Sequence, residues 1–255
     1  MEERRCSYWK SLVRRLKFFF VLLLFFQTLS FADDFTDFFN GTMASETEFG
    51  MVLTGGNTQV TSFLLNDTFS YRTGLNTFLY RDTYASTEVR GNDTSLRWSF
   101  GIRYQRELSE RFSLFIGQGL ESDLFQKILQ RYSTDLGGRV YHYRSTVFAF
   151  VSEAGYRFTR TNYTEYVTKH HYFRLFTEAE RFFNKSVSGK LSVELLPNLS
   201  VSAAYKLNSE LSLNALLTEV FSLKLAYLYR YDHQPAAGVK YLSDSLFTTT
   251  AVARF

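Results

Sequence analysis

The chain has 255 residues, of which 45% are hydrophobic and 21% are charged, a length and composition that fit a single folded domain. It carries 29 Lys and Arg residues against 25 Asp and Glu. Six of those bases and two of those acids lie within residues 1–32, so the remaining chain holds 23 of each and has no basic excess with which to bind nucleic acid. The one cysteine, Cys6, lies in the same segment, which excludes a disulfide framework from the rest of the chain.

Residues 1–32 have the pattern of a secretory signal peptide. Six basic residues precede the apolar run Phe18–Phe26, and the small residues Ser30 and Ala32 follow it. This pattern predicts cleavage after Ala32 and export to the cell outer membrane. The apolar run is about half of the roughly 20 residues that a membrane-spanning helix needs, so an uncleaved anchor is the weaker alternative. Residues 33–44 carry phenylalanines at helical spacing and are expected to form a short periplasmic arm, with disorder as the alternative.

The rest of the chain alternates between apolar and polar residues with a period of two, which is typical of β-strands. In one segment Leu96, Trp98, Phe100, Ile102 and Tyr104 share a face, and Arg97, Ser99, Gly101, Arg103 and Gln105 share the other. The polar faces collect glycine, serine and charges of both signs, whereas the apolar faces are rich in aromatic residues. This distribution favours a membrane barrel with a lipid-facing exterior and a polar lumen over a soluble β-sandwich.

Twelve such segments predict the fold class, an all-β transmembrane antiparallel β-barrel of about 12 strands that occupies residues 45–255. The predicted strands lie near residues 45–54, 59–71, 75–87, 94–107, 112–122, 131–142, 146–159, 168–182, 187–196, 199–217, 220–231 and 244–255. An even number of strands brings both ends of the chain to one side of the membrane. A split of the tenth segment at Asn208 would give an odd count and is the weaker alternative.

The connections between these strands are expected to alternate in length. Every second one is predicted to be a tight periplasmic turn, and residues 87–93, 122–130, 161–167 and 232–243 are predicted to form longer outer loops. Within the second of these, Leu124, Phe125, Ile128 and Leu129 have helical spacing and indicate either a short lid or a strand extension.

The last segment is expected to close the barrel by pairing with the first strand near residues 46–54. Phe247 and Phe255 would carry most of its lipid contact, since aromatic rings are favoured at the membrane interface. Strands of this kind, ending on an aromatic residue, predict contact with the barrel-assembly machinery as well as with outer-membrane lipid. A monomer is expected.

Several short motifs, in this order and spacing, resemble one known family. They are Gly56-Asn57-Thr58, Leu108-Ser109-Glu110-Arg111-Phe112, Asp123-Leu124-Phe125-Gln126 with Arg131, Gly137-Gly138-Arg139-Val140-Tyr141, Ala154-Gly155-Tyr156-Arg157, and Tyr231-Asp232-His233-Gln234-Pro235 followed by Gly238, Asp244 and Phe255. Together they resemble the YdiY-like family, domain of unknown function 481, described as salt-induced outer-membrane proteins. The chain departs from the family pattern at Arg139, which interrupts a glycine-rich strand, and at Ala253, where the family tends to have tyrosine. The resemblance implies the location and the fold and supplies no known activity.

The charged residues predicted to point into the lumen are the candidate functional set. They are Arg97, Arg103, Glu121, Asp135, Arg139, Glu153, Arg157, Arg174, Glu178 and Lys206, with Glu107, Glu180, Lys190, Glu194 and Lys224 on the same face. Opposite charges on neighbouring strands could pair and fill the barrel, since buried charges must be paired. Alternatively they line a narrow polar channel for ions or small solutes and tune its selectivity.

We expect no enzymatic activity, no cofactor and no metal site. The histidines His142, His170, His171 and His233 are scattered over strand ends and a loop, and no spacing singles out a nucleophile beside a base. His170 and His171 are adjacent in a strand, so they point to opposite faces and cannot chelate together. An envelope lipid-modifying barrel enzyme and a surface-binding or adhesin module remain the alternatives.

Two acidic residues, Asp67 and Asp82, fall on otherwise apolar rows. A carboxylate that faces lipid is unfavourable, most of all near the middle of the bilayer. We expect a β-bulge or a register shift to turn them inward, and contact with another protein is the alternative.

Overall fold

The computed structural model describes residues 41–54, 60–89, 92–124, 126–201, 204–235 and 241–255. Within these ranges the chain forms twelve β-strands and no helix. The strands are β1 Thr42–Thr54, β2 Val60–Thr73, β3 Asn76–Val89, β4 Asn92–Ser109, β5 Phe112–Asp123, β6 Ile128–Arg144, β7 Phe148–Tyr163, β8 Val167–Phe182, β9 Val187–Pro197, β10 Tyr205–Leu216, β11 Phe221–Asp232 and β12 Ser243–Arg254. The predicted signal peptide, its cleavage site, all but the last four residues of the arm, and the motif Gly56-Asn57-Thr58 lie outside the described residues.

The strands form one closed antiparallel barrel in which neighbours in sequence are neighbours in space. The seam lies between β12 and β1, where Phe49 is opposite Ala251 and Glu46 is opposite Arg254. Beyond the ladder, Ser45 and Phe255 exchange two backbone hydrogen bonds of 2.8 and 2.9 Å. Closure leaves no unpaired sheet edge, which is a requirement for strands in a hydrocarbon environment. The predicted fold class and the predicted pairing of the last strand with the first are confirmed.

The two faces of the barrel wall differ as the alternation predicts. The exterior is apolar: Ile102, Ile116 and Leu136 expose half or more of their surface, and Phe247 and Phe255 expose 65% and 72%. The interior holds most of the charged side chains and a few buried apolar ones, such as Phe115 and Val252. A large apolar surface on the outside of a closed barrel is the arrangement of a protein whose surroundings are lipid.

Several strands extend further than the alternation predicted, so three of the predicted long loops are shorter than expected. β3 continues to Val89 and β4 begins at Asn92, so five of the seven residues of the predicted loop 87–93 lie in strands. β6 begins at Ile128, so the candidate lid is a tight turn followed by a strand extension, with Lys127 at a φ of 58°. The predicted loop of residues 161–167 likewise reduces to residues 164–166. The backbones of the polar residues at these strand ends continue to pair in register. Hydropathy alone does not reveal this pairing.

The tenth strand is shorter than predicted. Residues 199–204 were expected to lie in it, but β10 begins at Tyr205. The side chain of Asn198 accepts hydrogen bonds from the backbone N–H groups of Ser200 at 2.8 Å and Val201 at 3.0 Å. Such an Asx turn competes with the ladder and ends it. The alternative split at Asn208 is wrong, because Asn208 pairs with both Glu194 of β9 and Arg230 of β11.

The expected bulge at Asp67 or Asp82 is wrong. The β2–β3 ladder runs without a register shift from Val60 to Thr73, and it places Asp67 directly opposite Asp82. Both residues keep the parity of the apolar row and therefore lie on the outer face of the wall. The hydroxyl of Thr47 on β1 donates a hydrogen bond to Asp67 at 2.5 Å.

Candidate functional site

The lumen contains a cavity of about 920 Å³ that is lined by residues from both ends of the barrel. Arg72, Glu107 and Arg144 line it near the turns at the end where β1 begins and β12 ends. Gln126 and Asp244 line it at the opposite mouth. The cavity therefore extends along the barrel axis instead of being a pocket on one side.

All ten lumen residues selected from the sequence lie around this cavity. They are Arg97, Arg103, Glu121, Asp135, Arg139, Glu153, Arg157, Arg174, Glu178 and Lys206. Phe247 lies on the outer face of β12, and Phe255, which directly follows β12, is exposed as well. The strand parity places these side chains, because residues at every second position of a strand point to the same side.

Glu153 on β7 is the centre of the most densely charged part of the lumen, and its side chain is only 1% exposed. It accepts hydrogen bonds from Arg103 at 2.8 Å, from Arg139 at 3.2 Å and from Arg174 at 2.5 Å. A buried carboxylate is costly to desolvate unless it is paired, and here three guanidinium groups surround it.

A second carboxylate continues this network toward β9. Arg174 donates to Glu194 through Nε at 2.6 Å, and Arg157 lies 3.2 Å from the same carboxylate. Arg157 also forms a two-point contact with Asp135, directly opposite it on β6, at 2.6 and 2.7 Å. The arginine cluster is thus made of Arg103, Arg139, Arg157 and Arg174 with Asp135, Glu153 and Glu194. Four cations against three anions leave one net positive charge.

The arginine cluster depends on an aromatic ring inside the lumen that the sequence pattern did not single out as functional. The guanidinium of Arg103 lies 3.8 Å from the centroid of the Phe115 ring, and Phe115 is 3% exposed. With its guanidinium stacked on this ring, Arg103 donates both to Gln105 on its own strand at 3.1 Å and to Glu153, three strands further around the wall. The signal was available as one aromatic residue on the otherwise polar face of β5.

A pair of glycines lies next to that ring, and one of them, Gly137, makes room for it. Gly137 and Gly155 are opposite each other on β6 and β7. A Cβ atom on Gly137 would lie 2.8 Å from the Phe115 ring and 2.6 Å from the carbonyl oxygen of Ala154. Both glycines belong to the family motifs, and the close approach of the two backbones and the ring explains why glycine occupies them.

The remaining lumen charges form smaller groups. Arg131 donates a hydrogen bond to Glu121, whose other neighbour, Arg97, is 3.9 Å away. Lys206 contacts Asp232 at 2.5 Å, and Lys190 lies 4.0 Å from Glu178.

One of these groups joins strands on both sides of β12. Lys224 on β11 contacts Glu48 on β1 at 2.8 Å and Glu210 on β10 at 3.0 Å. Glu48 and Glu210 were absent from the predicted set although their parity, counted from Glu46 and Lys206, was available in the sequence.

Histidines provide no assembled catalytic site among the described residues. His142 Nε2 is 2.6 Å from the hydroxyl of Ser152, a nucleophile–base pair that the spacing did not indicate. Its other neighbour is the stacked ring of Phe150, and no carboxylate within the described ranges orients it. A hydrolase needs that third group, together with an oxyanion hole.

In the described part of the chain, no group of three or more His, Cys, Asp or Glu side chains is arranged to hold a metal ion. Nor do these ranges contain a helix long and apolar enough to cross a membrane.

A closed twelve-stranded barrel with an apolar exterior and a charged lumen defines the class of transmembrane β-barrels found in the outer membrane. The family model for the protein of unknown function DUF481 matches residues 47–255, and the chain belongs to that family. No curated protein matches the chain.

Solved structures support the fold. The NanC porin is 11% identical with a TM-score of 0.52, over 83% of this chain and 98% of that one. An outer membrane channel from Pseudomonas putida is also 11% identical with a TM-score of 0.52, over 84% of this chain and 96% of that one. At such low identity the likeness shows the architecture alone.

Proposed function

We propose that this protein is a narrow passive channel of the outer membrane for ions and small solutes, whose selectivity is tuned by the lumen charges. The observation that carries the proposal is the cavity of about 920 Å³, which is lined from Arg72 at one end to Asp244 at the other. Charges of both signs surround it, and polar walls of this kind carry hydrated ions.

The main alternative is a barrel filled by its own ion pairs, with a purely structural role. Barrels of eight strands are filled and barrels of sixteen are open, so twelve strands allow either. The arginine cluster lies mostly along one part of the wall, on β6 to β9, and only Arg103 reaches it from β4. Pairing along a wall satisfies the charges without filling the space in front of them, which favours the channel.

Export and assembly complete the proposal. A signal peptide of residues 1–32, cleaved after Ala32, delivers the chain to the periplasm. The barrel-assembly machinery then engages β12, and the protein inserts as a monomer with the turns next to the chain ends on the periplasmic side.

Conductance in planar lipid bilayers is the direct test. The purified protein is expected to give discrete current steps in KCl, and a KCl gradient is expected to give a reversal potential of the sign for weak anion preference. That preference follows from the one net positive charge of the arginine cluster. No steps at any salt concentration would support the filled barrel and contradict the channel.

Substitution of two arginines on β4 distinguishes an effect of lumen charge on the current from a general effect of the loss of a positive charge. Arg103→Gln removes the contacts from β4 to Glu153, and it is expected to alter both the step size and the reversal potential. Arg106→Gln is the matched control, because Arg106 lies on the same strand with its exposed side chain on the opposite face. Identical currents for both variants and for the unsubstituted protein, the parent, would show that the lumen charges do not face the conducting path.

A further inference from the structure

Two cations lie next to each other on the outside of the barrel wall, near the mouth opposite the chain ends. Arg160 on β7 and Lys169 on β8 are direct cross-strand partners. Their neighbours Thr159, Thr161 and His170 line the lumen cavity, so the parity of the strands places Arg160 and Lys169 on the outer face. Both side chains are exposed.

This pair is unfavourable as it stands. Side chains directly opposite each other in an antiparallel ladder have Cβ atoms about 5 Å apart, and like charges there repel. Neither side chain has a hydrogen-bonding or ion-pair partner among the described residues. The nearest acid along the chain, Glu165 in the turn of residues 164–166, does not pair with either. The arginine cluster inside the lumen has its counterions, whereas this pair lacks them.

The depth of the pair follows from the outer face of β8. Between Lys169 and the next outward cation, Arg181, the outer face carries His171, Phe173, Leu175, Thr177 and Ala179. Twelve residues at about 3.4 Å each, on a strand tilted by about 40°, span roughly 30 Å along the membrane normal. This is the thickness of a hydrocarbon core, so Lys169 and Arg181 lie at its two boundaries.

Aromatic residues lie beside the pair on the outer face. Tyr132 is the cross-strand partner of Arg160 on β6 and is 39% exposed. The hydroxyl of Tyr156 is hydrogen-bonded to His171, two residues from Lys169 on the same face. Rings of this kind lie at the level of lipid head groups.

We propose that Arg160 and Lys169 form a binding site for the phosphate of a lipid head group, in the leaflet at the mouth opposite the chain ends. A guanidinium binds a phosphate through two parallel hydrogen bonds, and an adjacent ammonium adds a third contact to the same group. A phosphate at this level would offset the repulsion between Arg160 and Lys169. The acyl chains of the same lipid would lie along the apolar residues of β7 and β8. The site is independent of whether the lumen conducts.

Native mass spectrometry of the purified full chain in dodecyl maltoside tests this site. The probe is lipid A carrying both phosphates, titrated against the parent and against the double variant Arg160→Gln with Lys169→Gln. A basic residue near an anionic lipid surface contributes about fivefold in affinity, so loss of both should weaken binding by about 25-fold. The matched control is Arg106→Gln with Arg181→Gln, which removes the same charge from the outer face at the opposite boundary and should retain most of the binding.

The outcomes separate the explanations. Equal loss of binding in both double variants would show a diffuse charge effect and overturn the site. Unchanged binding in Arg160→Gln with Lys169→Gln would also overturn it. Dephosphorylated lipid A should bind the parent no better than it binds that variant, and inorganic phosphate at the same concentration should not displace the lipid. Displacement by inorganic phosphate would mean that the pair holds a free anion and not a lipid.

Discussion

Gln126, in the turn between β5 and β6, donates a hydrogen bond of 2.9 Å to the carboxylate of Asp244 on β12. β6 and β12 are six strands apart in the closed order of twelve, so this bond crosses the mouth of the barrel. A hydrogen bond within the turn also stabilises it, because the backbone N–H of Gln126 donates to the carboxylate of Asp123 at 3.1 Å. The mouth opposite the chain ends is therefore narrowed by one side-chain contact.

Removal of that contact should widen the mouth. Asp244→Ala is expected to increase the single-channel conductance, because the side chain of Gln126 loses its partner and is free to leave the axis. The measurement is the step size in planar bilayers at fixed KCl. Ser245→Ala is the control, since Ser245 follows on the same strand and points outward. A smaller or unchanged step in Asp244→Ala, with Ser245→Ala at the parental value, would show that the narrowest point lies deeper in the lumen.

The opposed glycines of β6 and β7 should tolerate no side chain. In Gly155→Ala the new Cβ would lie 2.4 Å from the carbonyl oxygen of Leu136 and 2.9 Å from the Cα of Gly137. Both are backbone atoms that cannot move without breaking the ladder. The free energy of unfolding should therefore fall by at least the roughly 1–3 kcal/mol that is usual for overpacking. Urea unfolding in lipid vesicles, followed by the fluorescence of Trp98, measures this loss.

Gly101→Ala provides the comparison for the same experiment. Gly101 is also a strand glycine on the lumen face, but the nearest atom to its added Cβ is 3.8 Å away. The free energy of unfolding should change by less than about 0.5 kcal/mol. Equal destabilisation in the two variants would mean that loss of glycine itself, and not the close approach of the two backbones, is responsible.

Glu153 should be the most sensitive charged position in the lumen. Glu153→Gln leaves Arg103, Arg139 and Arg174 around a neutral amide, and removal of one partner from a buried ion pair costs roughly 3–5 kcal/mol. Glu180→Gln is the control, because Glu180 has only a hydrogen bond of 3.3 Å from Ser188. The free energy of unfolding in vesicles is again the readout.

A second substitution distinguishes charge from packing at Glu153. Arg139 makes the longest contact, 3.2 Å, so Arg139→Gln added to Glu153→Gln removes one repelling cation at little cost in contacts. The double variant should be more stable than Glu153→Gln alone, because coupled charges are not additive. Additive destabilisation in the double variant would contradict a charge-based role for Glu153.

The sequence was sufficient for the barrel and for which side chains face the lumen, but not for the contacts among them. Parity is a local property, so Arg103 and Glu153 could be assigned to the inner face of their own strands. Their contact across three strands depends on barrel curvature and on the stacking of Arg103 over Phe115, which no local pattern encodes. Strand ends were missed for a related reason: beyond the apolar band, ladders such as that between Val89 and Asn92 are held by backbone hydrogen bonds, which hydropathy does not report.

Substitution of Asp67 or Asp82 should stabilise the barrel, in contrast to the destabilising substitutions above. They face each other on the outer face of the wall, where like charges repel and carboxylates are poorly solvated. Asp82→Asn keeps the shape of the side chain and removes the repulsion, so it should stabilise the barrel in lipid vesicles by about 1 kcal/mol. Asp67→Asn should do the same, because each carboxylate accepts a hydrogen bond of the same kind, Asp67 from Thr47 and Asp82 from Tyr80. Asp135→Asn, in the lumen beside Arg157, is the control and should destabilise the barrel. If both outer-face variants were destabilised as Asp135→Asn is, the two carboxylates would have to be bound to a positive group from outside this chain.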